Sequence, residues 1–251
     1  VTSPGVRAVR DLLFLDGSGS LVVACDSIGG IGPRPADAHH ADAATVAHFA
    51  MRVPLLELLC TGATPIALVN TLCQDRDSAA ALIDEFRRLA REVGIPDDAV
   101  TGTTEDNVPT TMTGVGVVVI GRRHGSPTTT RGLAGDAVIC AGLPMSAPRH
   151  ELFPGHPELV AAAEVQALVG SGLVHDALPV GSRGLEWEVP ELARTAGLAV
   201  EWAPDHGLDL TQSGGPSSCV LFACAPDDVP RLHELVRPEL PWSVVAHLAG
   251  Q

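Results

Sequence analysis

Apolar and polar positions along this chain switch repeatedly between a strand-like run and a helix-like period. Residues 21–25 are a short apolar run that closes on Asp26 and a glycine-rich turn, Gly29-Gly30-Ile31-Gly32-Pro33. That pattern predicts a buried strand delivering Asp26 to its C-terminal end. Residues 42–60 are rich in alanine and leucine, with Val46, Phe49, Ala50, Val53 and Leu56 at helical spacing. Pro54 falls inside this stretch and predicts a kink or a break between two helices. Gly62 ends it, and a strand is expected over 66–72. The plainest helix starts at Asp77-Ser78, carries Leu82, Ile83, Phe86, Leu89, Ala90 and Val93 on one face, and stops at Gly94. A polar loop over 101–113 then precedes a strand over 115–120.

Residues 121–132 hold Arg122, Arg123, Ser126, Pro127 and three threonines, the composition of a linker. A second alternation follows: a strand over 137–140, a helix over 157–169, an irregular stretch with glycine and proline, and a helix over 190–196. Strands near 198–202 and 219–224, a helix over 229–236 and a short final element complete it. Strands and helices alternating in both halves place the chain in the α/β or α+β class, with domains at 1–121 and 132–251.

Composition narrows the chemistry. The chain has 251 residues, 45% of them hydrophobic and 18% charged, enough for a buried core in two domains. The net charge of −14 speaks against a passive binder of nucleic-acid backbone, while small anions remain admissible if metal ions stand between them and the carboxylates. All sixteen basic residues are arginine, and tyrosine is absent. Schiff-base chemistry and the phosphate-gripping lysines of P-loops and protein kinases are thereby excluded. The six cysteines form no CxxC pair, so buried free thiols are expected in place of zinc. No apolar run approaches 18 residues and no signal pattern opens the chain, which reads as cytoplasmic, with no membrane partner.

Three acidic positions stand out. Asp26 opens Asp26-Ser27-Ile28-Gly29-Gly30; Glu57 interrupts an apolar helix, Leu55-Leu56-Glu57-Leu58-Leu59; Glu105-Asp106-Asn107 follows Gly102-Thr103-Thr104. A charge on a buried face costs several kcal/mol, as an order of magnitude, unless it is paired or metal-bound. Oxygen ligands from several carboxylates suit a hard cation such as Mg²⁺. Each position also has an ordinary reading: a pair with Arg52 for Glu57, a turn residue for Asp26, a solvated loop for Glu105 and Asp106. Composition alone does not choose between them.

Taken together, residues 25–33, 57–65, and 101–109 with Thr113-Gly114-Val115-Gly116 resemble the motifs of the aminoimidazole-ribonucleotide (AIR) synthase, or PurM-like, superfamily. Gly135-Asp136-Ala137-Val138 is similar to the opening of that superfamily's C-terminal domain. The resemblance implies a two-domain AIR synthase-like fold: an N-terminal mixed sheet with helices and a C-terminal α/β sandwich. It also implies ATP held through Mg²⁺, and a homodimer whose N-terminal sheets pack together. By position, Asp26, Glu57, Glu105 and Asp106 would be the metal ligands. Gly29, Gly30, Gly32, Thr104 and Asn107 would line the nucleotide.

The departures are equally specific. AIR synthases carry a lysine after the first aspartate motif, selenophosphate synthetases a reactive cysteine or selenocysteine with a nearby lysine, and thiamine-phosphate kinases an early double aspartate. This chain lacks all three. With residues 175–184 (His175-Asp176-Ala177-Leu178-Pro179-Val180-Gly181-Ser182-Arg183-Gly184) the pattern is similar to α-ribazole kinases. The expectation is phosphoryl transfer from ATP to a small-molecule hydroxyl, with Asp26, Asp37 and Asp176 as catalytic candidates, and His39 and Arg183 as weaker ones. A nucleotide-binding module without turnover, and an ATP-dependent cyclase or ligase, are the competing readings.

Overall fold

The computed structural model describes residues 5–15, 20–123 and 131–250. The chain divides into two units, Val1–Leu58 with Ala63–His124, and Leu59–Gly62 with Gly125–Gln251. Most of the expected linker, residues 124–130, lies outside the described residues.

In the first unit a hairpin of β1 (Val6–Val9) and β2 (Leu12–Leu15) leads to the long β3 (Leu21–Gly29), and the two-residue strands β4 (Ile31–Gly32) and β5 (His39–His40) pair beyond it. Helix α1 (Ala43–Leu59), β6 (Thr64–Leu72), helix α2 (Arg76–Glu92), β7 (Val100–Thr104) and β8 (Gly114–Arg122) follow. The mixed sheet runs β1-β2-β3-β8-β6-β7. Its pairs are antiparallel except β6 with β7, which are parallel and joined through α2, as a crossover requires.

Side chains alternate across these strands. Val22 and Ala24 on β3, Val115, Val117 and Val119 on β8, and Leu68 and Leu72 on β6 are buried on one face, and Leu56, Leu58, Leu82 and Phe86 of the helices complete the core. Gly121 lets α1 approach closely, since a Cβ there would stand 2.5 Å from Leu58 Cδ1.

Several expectations need revision. Helix α1 continues through Pro54 without a break, its apolar side chains buried along its length. The polar stretch expected to be loop begins as strand β7, because a backbone ladder from Leu68↔Val100 to Leu72↔Thr104 needs no apolar side chains at a sheet edge. β3 extends to Gly29, so Asp26 lies within the strand and not at its end.

The second unit holds β9 (Ala137–Ala141), α3 (Ala162–Gly170), β10 (Val174–Pro179), α4 (Leu185–Ala196), β11 (Ala199–Trp202), β12 (Val220–Cys224), α5 (Val229–His233) and β13 (Trp242–Ala249). Its antiparallel sheet runs β10-β12-β9-β13-β11. β9 and β12 are buried at every residue, and α4 packs Leu185, Val189 and Leu192 onto the same core as Val138, Cys140 and Leu221. The stretch read as irregular contains β10. Helix α3 starts at Ala162, where the Glu164 carboxylate accepts the Ala161 N–H at 2.7 Å, later than the expected 157. Four of the six free cysteines are buried, as expected, but Cys25 and Cys73 are exposed.

Candidate functional site

Two of the three sequence motifs meet at one end of the first sheet. β3, β6 and β7 finish there and β8 begins, so the loops after residues 29, 72 and 104 form a polar crown. Backbone bonds tie it together: Gly30 N–H to Thr113 O at 2.9 Å, Ala36 N–H to Thr111 O at 3.1 Å, and Glu105 N–H to Leu72 O and Gln74 O at 3.0 Å each. Thr110 Oγ1 donates to Cys73 O at 2.6 Å, and the Arg34 guanidinium reaches Thr110 O and lies 4.0 Å from Asp75.

The glycines serve the turn itself. Gly30 has φ +68°, where glycine is favoured, and its carbonyl accepts from Ala38 and His39. At Gly32 a Cβ would stand 2.3 Å from Thr113 Oγ1. Gly29 has nothing within 4 Å of its Cβ position, so its backbone is open to a ligand.

Asp37 is buried and fully engaged. Its carboxylate accepts the Thr113 N–H and Oγ1 at 2.7 Å each and the Arg34 N–H at 2.8 Å. Burial works to raise its pKa, but these bonds outweigh it and hold the group below the ordinary carboxylate value. In this arrangement Asp37 fixes the loop.

The loop acids are likewise organised. Glu105 Oε1 accepts the Asn107 and Val108 N–H groups at 2.8 and 3.1 Å. Asp106 accepts Thr104 Oγ1 at 2.6 Å and the Arg76 N–H at 3.0 Å, and these bonds lower its pKa.

Asp26 differs from all of them. It shares the helix-covered face with Val22 and Ala24, and desolvation raises its pKa, offset only in part by the Ser27 N–H. Among the described residues no cation shifts its titration. Its register partner Val117 is three residues along β8 from Gly114, about 10 Å from the crown at the strand rise.

Glu57 does not join the crown. Its neighbour Leu58 packs over Gly121, seven residues along β8 from Gly114, about 24 Å away at the same rise. Asp176 belongs to the second unit, where it is completely buried in β10 and accepts the Ala177 N–H at 2.9 Å. His39 and His40 are exposed, and Arg183 stacks on Trp187 at 3.6 Å. No group of three or more His, Cys, Asp or Glu among the described residues is arranged to hold a metal ion. Mg²⁺ is nonetheless commonly held by one or two carboxylates plus phosphate oxygens rather than by an all-protein cage. A half-buried carboxylate without a counter-ion, on the strand that runs into the crown, fits that mode.

Sequence reading quoted Thr113 within a motif without giving it a role, and missed Arg34 and Asp75, which with it organise the crown, and Asn70, a polar residue within the apolar run 66–72. That interruption was a visible signal.

Residues 8–122 match the family model described as AIR synthase related protein, N-terminal domain. No curated protein sequence matches the chain. Among solved structures, PurL of T. maritima complexed with AMPPCP is similar at TM-score 0.65 and 18% identity over 98% of this chain. The present chain spans only 42% of that one. A thiamine-monophosphate kinase from Stenotrophomonas maltophilia K279a gives TM-score 0.65 and 19% identity, covering 98% of this chain and 89% of that one. A HypE–HypF complex gives 0.67 and 14%, covering 96% and 87%. At these identities the likeness is one of fold.

Proposed function

We propose that this chain, whose residues 8–122 match the AIR synthase related N-terminal domain, is a member of the AIR synthase superfamily and an ATP- and Mg²⁺-dependent kinase acting on a small-molecule hydroxyl. The observation that carries this reading is Asp26: a half-buried carboxylate, raised by desolvation and without a cation, on the strand that runs into the open backbone of Gly29. A group held at such cost is explained by a positive partner that arrives with the substrate.

Asp26 would hold Mg²⁺, with Glu105 and Asp106 serving as further acids on the crown and Glu57 entering only if the nucleotide reaches down the sheet. When bound, the ion neutralises phosphate charge. The chain's own part is positional: Gly29 admits a phosphate or the acceptor, Asp37 and Thr113 fix the loop around it, and Thr104 and Asn107 border the nucleotide. Transfer of a phosphoryl group depends mainly on such positioning and charge stabilisation. The acceptor drawn from the sequence resemblance is α-ribazole, giving α-ribazole 5′-phosphate, and the active form is a homodimer. Thiamine phosphate is the competing acceptor, favoured by the length match to the Stenotrophomonas kinase.

A second reading, nucleotide binding without turnover, draws on Asp37 being locked in structural bonds. Assays of ADP release with α-ribazole, thiamine phosphate and AIR precursors separate the two. The kinase reading expects ADP and a phosphorylated alcohol with one acceptor, and a loss of at least about a hundredfold in kcat/KM for Asp26→Asn, equivalent to about 2.7 kcal/mol. Mg-ATP binding without ADP release from any acceptor supports the module instead.

A further inference from the structure

Helix α2 and the edge strand β7 enclose a groove of about 240 Å³. Its floor is Asn70 beside its register partner Gly102. A Cβ at Gly102 would stand 2.3 Å from Asn70 Oδ1, so only glycine leaves the amide its place. Asn70 is 5% exposed and lines the groove, and its side chain has no hydrogen-bond partner among the described residues. The amide opens onto the groove, where water or a ligand can pair with it.

One wall is a single stripe of α2: Arg76, Ala80, Ile83, Asp84 and Arg87. Arginines of α2 that point elsewhere are paired, Arg88 with Glu85 and Glu92, and Arg91 with Asp97. Arg87 makes no ion pair among the described residues, and Arg76 lies in the field of Asp106. The other wall is the outer edge of β7, which ends the sheet and offers backbone N–H and C=O groups.

We infer that this groove binds a small phosphate ester with free hydroxyls, of sugar-phosphate size. The Arg87 fork takes the phosphate. Asp84 and the Asn70 amide take the hydroxyls, and Asp84 opposes a second anionic group. Of the proposed metal ligands none lines this groove; Thr104 is the one residue it shares with the nucleotide border.

Isothermal titration of the full chain without Mg²⁺ tests this with ribose 5-phosphate, inorganic phosphate and ribose as probes. Ribose 5-phosphate is expected to bind, phosphate to bind more weakly, and ribose to give no heat. Arg87→Gln, an exposed change checked for folding by thermal melting, should weaken both phosphate probes about tenfold or more and leave Mg-ATP binding unaltered. Asp84→Asn should weaken ribose 5-phosphate alone, and Gly102→Ala should abolish binding by displacing Asn70. Absence of ribose 5-phosphate binding, or equal affinity in the folded Arg87→Gln protein, overturns the inference. Neither result bears on the Mg-ATP reading, which the Asp26→Asn assay tests separately.

Discussion

Among single residues His48 couples the fold most directly to pH. Burial first, then Arg52 and Arg88, drive its pKa down from 6.5 to about 4, against a small opposing pull from Glu85. Between those values the unfolded chain binds a proton that the folded chain refuses, so this group makes stability rise with pH from about 4 to 6.5 and adds no slope above. The contribution across that window is on the order of 3 kcal/mol. Thermal melts at pH 7 and pH 5 should therefore differ more for the native protein than for His48→Gln; equal differences would remove the effect. At this same scale the sequence was informative about type and less so about purpose. Asp26 was legible because an acid ends an apolar run. Asp37 was picked out as a chemical group, yet the partners that turn it into a loop clamp, Thr113 and Arg34, lie elsewhere in the chain or in its backbone, where no spacing reveals them.

Among elements, the contact of α1 with β8 depends on Gly121. Leu58 is completely buried with its side-chain carbons 2.5 to 2.8 Å from the missing Cβ, so it has no room to yield. Gly121→Ala should cost about 1–3 kcal/mol in denaturant unfolding, and adding Leu58→Ala should cost less than the sum of the two single changes, a coupling that a double-mutant cycle measures. The helices α1 and α2 and the strands β3, β6, β8, β9 and β12 were readable because their apolar positions repeat with a clear period. β7 and β10 were not: β7 is an exposed edge held by backbone bonds, and β10 carries His175 and Asp176 within its ladder. Glu57 shows the limit of motif spacing most clearly. It occupies the expected position in sequence, but the direction of α1 carries it to the opposite end of the sheet.

For the molecule as a whole, strands and helices alternate in both halves of the chain, and each of the two units carries one large sheet, mixed in the first and antiparallel in the second. With sixteen arginines against thirty acids, attraction of phosphate rests on a few local features and not on the overall field. Strand β3 sits between β2 and β8 in the interior of its sheet, and that placement has a dynamic consequence. Amide protons flanking Asp26 should be among the slowest in the unit to exchange with deuterated solvent, while those of residues 105–113 exchange early through local opening. The carboxylate would then stay in place while the loops around it breathe, so that a ligand could enter and leave without the sheet ever parting.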